Sequence, residues 1–223
     1  LLTVNPQDLP IDRAEALRYL GYKPGKRKIG GKILRLLDEE IEKARTLINP
    51  RGLYKIVEVG ILKDHKFFSD AQKVAFGIAT VGEKLEKEVK RLFKSGEGTR
   101  GVLLDAVGSV CAEAITDLVN AEAEEWAAKN GLNITRRFSP GYSGWNVRDQ
   151  KLVFDYLGKF TADVKLTTSG IMVPLKSVSF ACKLSSEKME EINKGDKCAS
   201  CNMRGRCAFS AEEGVCRKTA KEA

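Results

Sequence analysis

The chain has no run of about 20 consecutive apolar residues, the length a membrane-crossing helix needs, so no spanning segment is expected. Its first residues, LLTVNPQDLPIDR, lack the basic region and apolar core of a secretory signal, and a cytoplasmic location is the default expectation. No internal repeat or low-complexity tract is visible. Histidine occurs once, at His65, which reads as a structural or solvated residue. The GxGxxG fingerprint of dinucleotide-binding folds is missing. The nearest approach to a phosphate loop, GKRKIGGKI at 25–33, fails in two ways. Five residues separate Gly25 from Gly31, and Ile33 stands where a hydroxyl should meet magnesium. Neither standard nucleotide site is expected.

What remains is a foldable chain of 223 residues, 43% hydrophobic and 30% charged, enough for one large domain with a small appendage. The formal charge of +8 raises the question of nucleic acid. The densest basic stretch, KPGKRKIGGKILR at 23–35, contains no acid and no interleaved aromatic residue. It reads as a solvated turn or a docking patch for an acidic partner before it reads as a nucleic-acid interface.

Periodicity predicts a short helix over DRAEALRYL, beginning at Asp12 or Pro10, and a longer one over ILRLLDEEIEKARTLI, closed by Asn49-Pro50. Strands are expected over 53–61 and 73–82. A helix follows over EKLEKEVKRLFKSGE, and then the longest periodic segment in the chain. That segment is TRGVLLDAVGSVCAEAITDLVNAEAEEWAAKNG, with Thr99 as its expected cap and Gly131 as its stop. Gly108, Ala112 and Ala114 make part of it small-sided, as in a tightly packed central helix. A strand over 132–138, a helix from near Val147, and strands over KLTTSG and SVSFACKL complete the reading. Strands and helices alternate without a regular βα rhythm, so the fold class is α+β with a largely antiparallel sheet. The expected division is a main domain over 1–185 and a cysteine-rich appendage over 186–223.

Three groups of residues could carry chemistry. In RFSPGYSGW an arginine stands next to a tight turn, and a guanidinium fork receives a carboxylate through two N–H groups at once. Backbone amides of the Ser139-Pro140-Gly141 turn would add donors, Gly141 would let a ligand approach, and Tyr142 could stack on a flat ring. The plain alternative is a β-to-α turn whose two rings, Tyr142 and Trp145, cover the edge of the core. Glu113 lies among small apolar neighbours on the long helix, with Asp117 one turn on and Asp105 about two turns back. A carboxylate there needs a partner, either Arg136 or Arg137 or the ammonium of a ligand.

The third group is Cys198, Cys201, Cys207 and Cys216, spaced C-x2-C-x5-C-x8-C, with Arg204, Arg206 and Arg217 between and beside them. Clustered thiols in an intracellular chain point to a metal before disulfides. The irregular spacing puts an iron–sulfur cluster ahead of zinc, which usually takes close pairs. Cys111 and Cys182 sit in apolar runs and read as inert core residues.

RFSPGYSGW followed by LTTSGIMVPLKSVS at 166–179 resembles the reactivation domain of cobalamin-dependent methionine synthase. That family carries an Arg-x-x-Pro-Gly-Tyr turn, an LTES-like strand, a proline and a Ser-Val-Ser strand, after a helix containing AEA. The resemblance runs from about residue 73 to 184. Thr168 stands where the family has Glu, Val173 where it has Trp, and the family's tyrosine after Ser-Val-Ser has no counterpart. Asp12 is the nearest candidate for the family's N-terminal acidic ligand.

The resemblance implies a C-shaped α+β fold that binds S-adenosylmethionine in a shallow groove and supports reductive methylation of cob(II)alamin. It implies that Arg137 holds the methionine carboxylate and Glu113 the polar end of the ligand. Ser139, Gly141 and Tyr142 would line the rest. The corrinoid would sit on a partner acting in trans, a corrinoid-dependent methionine synthase or another corrinoid protein. The partner would also supply the lower axial ligand. The family has no cysteine tail, and a cluster there could pass on an electron from a donor protein. A zinc- or cluster-stabilised binding module that merely shares the fold, with nucleic acid as one possible ligand, is the alternative.

Overall fold

The computed structural model describes residues 1–22, 29–142 and 144–187. Five strands form one sheet: β1 (Leu2–Thr3), β2 (Arg51–Glu58), β3 (Lys73–Thr80), β4 (Asn133–Ile134) and β7 (Ser177–Ser185). Their order is β1-β2-β3-β7-β4, and every neighbouring pair is antiparallel. A two-stranded hairpin, β5 (Lys165–Leu166) with β6 (Met172–Val173), stands apart from it. The helices are α1 (Arg13–Tyr19), α2 (Gly31–Leu47), α3 (Lys84–Lys94), α4 (Gly98–Lys129) and α5 (Gln150–Leu157). The α+β class with an antiparallel sheet is the observed architecture.

Strand β3 explains the layering. Side chains alternate across a strand, and here both faces are covered. Ala75 and Ala79 enter a core built with α1 to α4, where Leu37, Leu85, Leu104 and Ile115 are buried. Val74, Phe76 and Ile78 enter a second core with Phe68, Trp145, Val153 and Leu157. β7 is shared in the same way, with Phe180, Cys182 and Leu184 on the α4 side and Ala181 on the other.

α4 is about 48 Å long at 1.5 Å per residue, and it lies directly on the sheet and on α3. Small residues permit this. A Cβ on Gly108 would stand 2.6 Å from Leu85 Cδ2, and one on Gly52 2.6 Å from Val119 Cγ2. The small-sided stretch of α4 is therefore a packing surface, as its sequence suggests. Cys111 and Cys182 are buried. Burial pushes the Cys111 thiol up to about 12 and also raises that of Cys182, so both remain unreactive thiols.

Several boundaries differ from the sequence reading. The strand expected to Ile61 ends at Glu58, because Gly60 has φ of 35° and a 3-10 helix, Gly60–Asp64, follows. Thr99 is not the cap of α4; Glu97 is. Gly96, with φ of 80°, turns the chain out of α3 so tightly that only residues 95–97 separate the two helices. Gly131 does follow the end of α4 with φ of 67°. The helix near Val147 starts as a 3-10 turn, Val147–Asp149, capped by Asn146, whose side chain accepts from the Arg148 N–H. In KLTTSG only Lys165–Leu166 is strand. The Thr167 hydroxyl accepts from the Ile171 N–H and Gly170 has φ of 80°, which makes that stretch the hairpin turn.

The strand expected over 132–138 is interrupted. Ile134 pairs with Leu184 and Phe138 with Ala181, so four steps on one strand answer three on the other. The surplus residue is a β-bulge. Thr135 shows how it is held: its N–H donates to the Lys183 carbonyl, while its hydroxyl accepts from the Lys183 N–H. As a result Ile134 packs with the α4 core and Phe138 with the opposite one, although an even spacing would put both on one face.

Gly77 lies opposite Phe180 in the β3–β7 register, and a Cβ there would stand 2.2 Å from the ring. Gly77→Ala should destabilise the fold by about 1–3 kcal/mol through overpacking, read as a lower urea midpoint.

Candidate functional site

One face of α4 carries Asp105, Ser109, Glu113 and Asp117, each four residues after the last and therefore stacked along the helix. Both ends of this stripe are pinned by cations from the edge of the sheet. Lys176, just before β7, reaches Asp105 at 2.8 Å and the Ser109 hydroxyl at 2.9 Å. Arg137, within the bulged segment, reaches Glu113 Oε2 at 2.6 Å through Nη2 and donates to Asp117 through Nη1. The Arg137 side chain is only 19% exposed, so its charge is held against α4 rather than in open water. Between these two cations runs the Ser177–Ser179 end of β7. The β4 segment leaves β7 after Phe138, so this end has no strand partner on that side among the described residues.

The turn that follows Arg137 closes on itself. The Gly141 N–H donates to the Trp145 carbonyl at 2.9 Å, the Tyr142 N–H to the Ser139 carbonyl at 3.1 Å, and the Trp145 N–H to the Tyr142 carbonyl at 2.9 Å. Gly141 has φ of 91°, a conformation that a side chain would strain. The expectation of free amide donors throughout the turn is therefore corrected, since those of Gly141 and Tyr142 are used internally. The two aromatic residues also part company. Trp145 is buried, in edge contact with Phe68 and beside Phe138 and His65. Tyr142 is 69% exposed and does not cover the core. Trp145 thus anchors the turn, and Tyr142 is presented to solvent a few residues from Arg137.

His65 has a structural place, as its isolation in the sequence suggests. Its Nε2 lies 3.3 Å from Asp149 Oδ2, and its ring packs with Phe68, tying the 60–71 segment to the start of α5. Lys183 does similar work on the same side by donating to Asp70 at 2.5 Å.

Of the predicted site residues, Glu113 finds its partner in Arg137, and Ser139, Gly141 and Tyr142 lie in the turn that follows Arg137. Asp117, Ser109 and Lys176 belong to the same surface and were not singled out as ligands. The repeat of polar residues at 105, 109, 113 and 117 is the signal that would have found Ser109 and Asp117, whereas nothing local marks Lys176.

Two clefts lie elsewhere. One of about 770 Å³ lies between α5 and the hairpin turn, with Arg148, Phe154, Leu166 and Thr167 among its walls. Another of about 810 Å³ is lined by Asn49, Arg51, Lys84 and Val173. Arg137 lines neither.

Cys198, Cys201, Cys207 and Cys216 lie outside the described residues, as does the 23–28 part of the basic loop. Among the described residues no group of His, Cys, Asp and Glu is placed to hold a metal ion. No helix among them is long and apolar enough to cross a membrane.

An antiparallel α+β sheet with helices packed on both faces, and a basic–acidic seam along one edge, defines the class of architecture. A solved structure shares the fold. The MetH reactivation domain bound to AdoHcy matches with a TM-score of 0.62, covering 84% of this chain and 78% of that one at 13% identity. The likeness is one of fold, and it bears out the resemblance drawn from RFSPGYSGW and LTTSGIMVPLKSVS. No protein-family model and no curated protein matches the chain.

The second carboxylate on Arg137 limits the share of the Arg137–Glu113 pair in stability. Glu113→Gln should lower it by no more than about 1 kcal/mol, since Asp117 still holds the guanidinium. A thermal melt checks this, and a much larger fall would mark Glu113 as a structural carboxylate.

Proposed function

We propose that the chain binds S-adenosylmethionine at the Arg137 edge and serves the reductive methylation of a corrinoid carried by a separate protein. The observation that carries the reading is Arg137 held by Glu113 and Asp117 beside the Gly141 turn, on the fold of a reactivation domain solved with AdoHcy. A free amino-acid end carries a carboxylate and an ammonium. Arg137 would take the carboxylate through its fork, and Glu113 the ammonium, so the ligand exchanges with an ion pair that already exists. The Ser139 N–H and the Gly141 carbonyl supply the backbone contacts left in the turn, and the exposed Tyr142 ring covers the flat end of the ligand. S-adenosylmethionine supplies an electrophilic methyl group when bound. The chain's own task is to fix that group at an open edge where a large partner can reach it.

The acceptor in this reading is a cob(II)alamin on a corrinoid-dependent methionine synthase or another corrinoid protein, reduced by one electron before the methyl group is transferred. The work would take place in the cytoplasm. Cys198, Cys201, Cys207 and Cys216 would hold an iron–sulfur cluster, or zinc, as a 186–223 unit separate from the 1–185 domain. A cluster would relay the electron from a donor protein. Four thiolates suit either metal chemically, and colour on anaerobic purification separates them, brown for a cluster and none for zinc.

Calorimetry tests the ligand. S-adenosylmethionine should bind the intact protein, and Arg137→Ala should weaken binding by about 2–4 kcal/mol through the lost charge-assisted contact. No detectable binding by the intact protein would end the proposal. A second test separates the tail. Protein ending at Ser186 should still bind S-adenosylmethionine but lose reductive methylation with its natural electron donor. A strong chemical reductant should restore that activity. Full activity of the shortened protein with the natural donor would exclude the electron-relay role.

A further inference from the structure

We infer that the cleft of about 770 Å³ between α5 and the hairpin turn is a second binding site, which receives peripheral amide side chains of the partner's corrin ring. The inference rests on the corrinoid acceptor of the reading above. Gln150 lines the cleft and is only 5% exposed, yet one end of its side chain is left over. Its Nε2 donates to the Ser179 hydroxyl at 2.6 Å, while its Oε1 has no hydrogen-bond partner among the described residues. A ligand that excludes water from the cleft must bring that oxygen an N–H, or the carbonyl is left unsatisfied. Val147, Phe154 and Leu166 give apolar walls, and the exposed Thr168 adds a hydroxyl that makes no hydrogen bond among the described residues. The charges nearly cancel. Lys151 is held by Asp155 at 2.6 Å, so Arg148 is the one charged residue of the lining without an ion pair among the described residues. Such a cleft suits a neutral group that both donates and accepts, which is a primary carboxamide.

Position assigns that carboxamide to the corrin. The cleft adjoins the Arg137 edge, because Val147 is the side chain that a Cβ on Gly141 would meet first, at 3.7 Å. Ser179, which holds Gln150, belongs to the end of β7 that has no strand partner among the described residues. The cleft and Arg137 nevertheless lie on opposite faces of β7. Ser179 shares its face with Ala181, on the α5 side, whereas Arg137 is turned against α4. S-adenosylmethionine anchored on the α4 side, with its flat end under Tyr142, leaves the cleft free. A corrin ring is broad and carries primary acetamide and propionamide side chains around its rim. Brought up to the open edge of β7 to meet the methyl group, it extends over both faces, and its amides reach the α5 side. One of them would donate to Gln150 Oε1 and accept from the Thr168 hydroxyl. A glutamine or asparagine of the partner protein offers the same group, and a free corrinoid used as the probe separates the two sources.

The test is equilibrium dialysis of the full chain against two free corrinoids, read by their visible absorption. Dicyanocobinamide keeps the rim of amides and lacks the nucleotide. Dicyano heptamethyl cobyrinate has the same ring with ester groups, which offer no N–H. The parent protein should hold the cobinamide about three- to tenfold more tightly, the worth of one neutral hydrogen bond. Gln150→Leu should abolish that preference by weakening the cobinamide and leaving the ester unchanged. Thr168→Val, at an exposed position clear of Ser179, should weaken both corrinoids about two- to fivefold, since ester and amide carbonyls alike accept. That variant and the parent's own preference keep the test decisive if Gln150→Leu does not fold. S-adenosylmethionine, titrated alongside, should bind the parent and both variants alike. Equal affinity of the parent for the two corrinoids, no binding of either, or a preference that survives Gln150→Leu overturns the assignment. So does a matching loss of S-adenosylmethionine binding in Gln150→Leu, which would give the cleft to the nucleoside. If S-adenosylmethionine fails to bind while the corrinoid preference holds, the ligand reading of the preceding subsection falls and the cleft assignment stands.

Discussion

The arrangement of the site depends on one extra residue. Between Ile134 and Phe138 the chain spends four steps against three on β7, and the Thr135 hydroxyl stands in for the backbone carbonyl that the ladder would otherwise use. Without the bulge, Ile134 and Phe138 would share a face. With it, Phe138 goes to the core beneath α5 while Arg137 is turned against α4. Pairing ends at Phe138, just before the Ser139-Pro140-Gly141 turn, and among the described residues that leaves the Ser177–Ser179 end of β7 without a strand partner beside the acidic stripe. A bulge at the rim of a sheet commonly re-aims a side chain, and here it aims the guanidinium.

The second constraint is the double burial of β3 and β7. Because both faces of these strands are covered, the sheet has little freedom to shift against α4, and the spacing between the helix stripe and the strand edge is fixed. Lys176 and Arg137 then act as two clasps, one at each end of that spacing. The acidic stripe is therefore carried by a packed helix, while the two cations come from short segments that flank β7 and its bulged partner.

Much of this was legible beforehand. The helices declared themselves through apolar spacing, and β3 through its apolar run. The small-sided part of α4 was readable from Gly108, and the chain resemblance located the turn. The fold match supports that reading, whereas the roles of individual site residues are inferences from geometry. What the sequence hid was decided by long-range pairing. Nothing local in NITRRF announces a bulge, because it exists only by comparison with Ala181 and Leu184 across the ladder. KLTTSG has strand-forming residues, yet the Thr167 hydroxyl bonds the Ile171 N–H and a turn wins. Tyr142 and Trp145 look alike as aromatic residues in a turn, and only the fold assigns one to solvent and the other to the core.

The two tryptophans of the chain fall on opposite sides of the sheet, Trp126 with the α4 core and Trp145 with the core under α5. Each layer thus contains its own intrinsic fluorophore. Emission from Trp145 senses the packing of the turn that presents Tyr142, and emission from Trp126 senses the helical layer that carries the acidic stripe. A variant that keeps one tryptophan would let each layer be followed by itself, with no label attached.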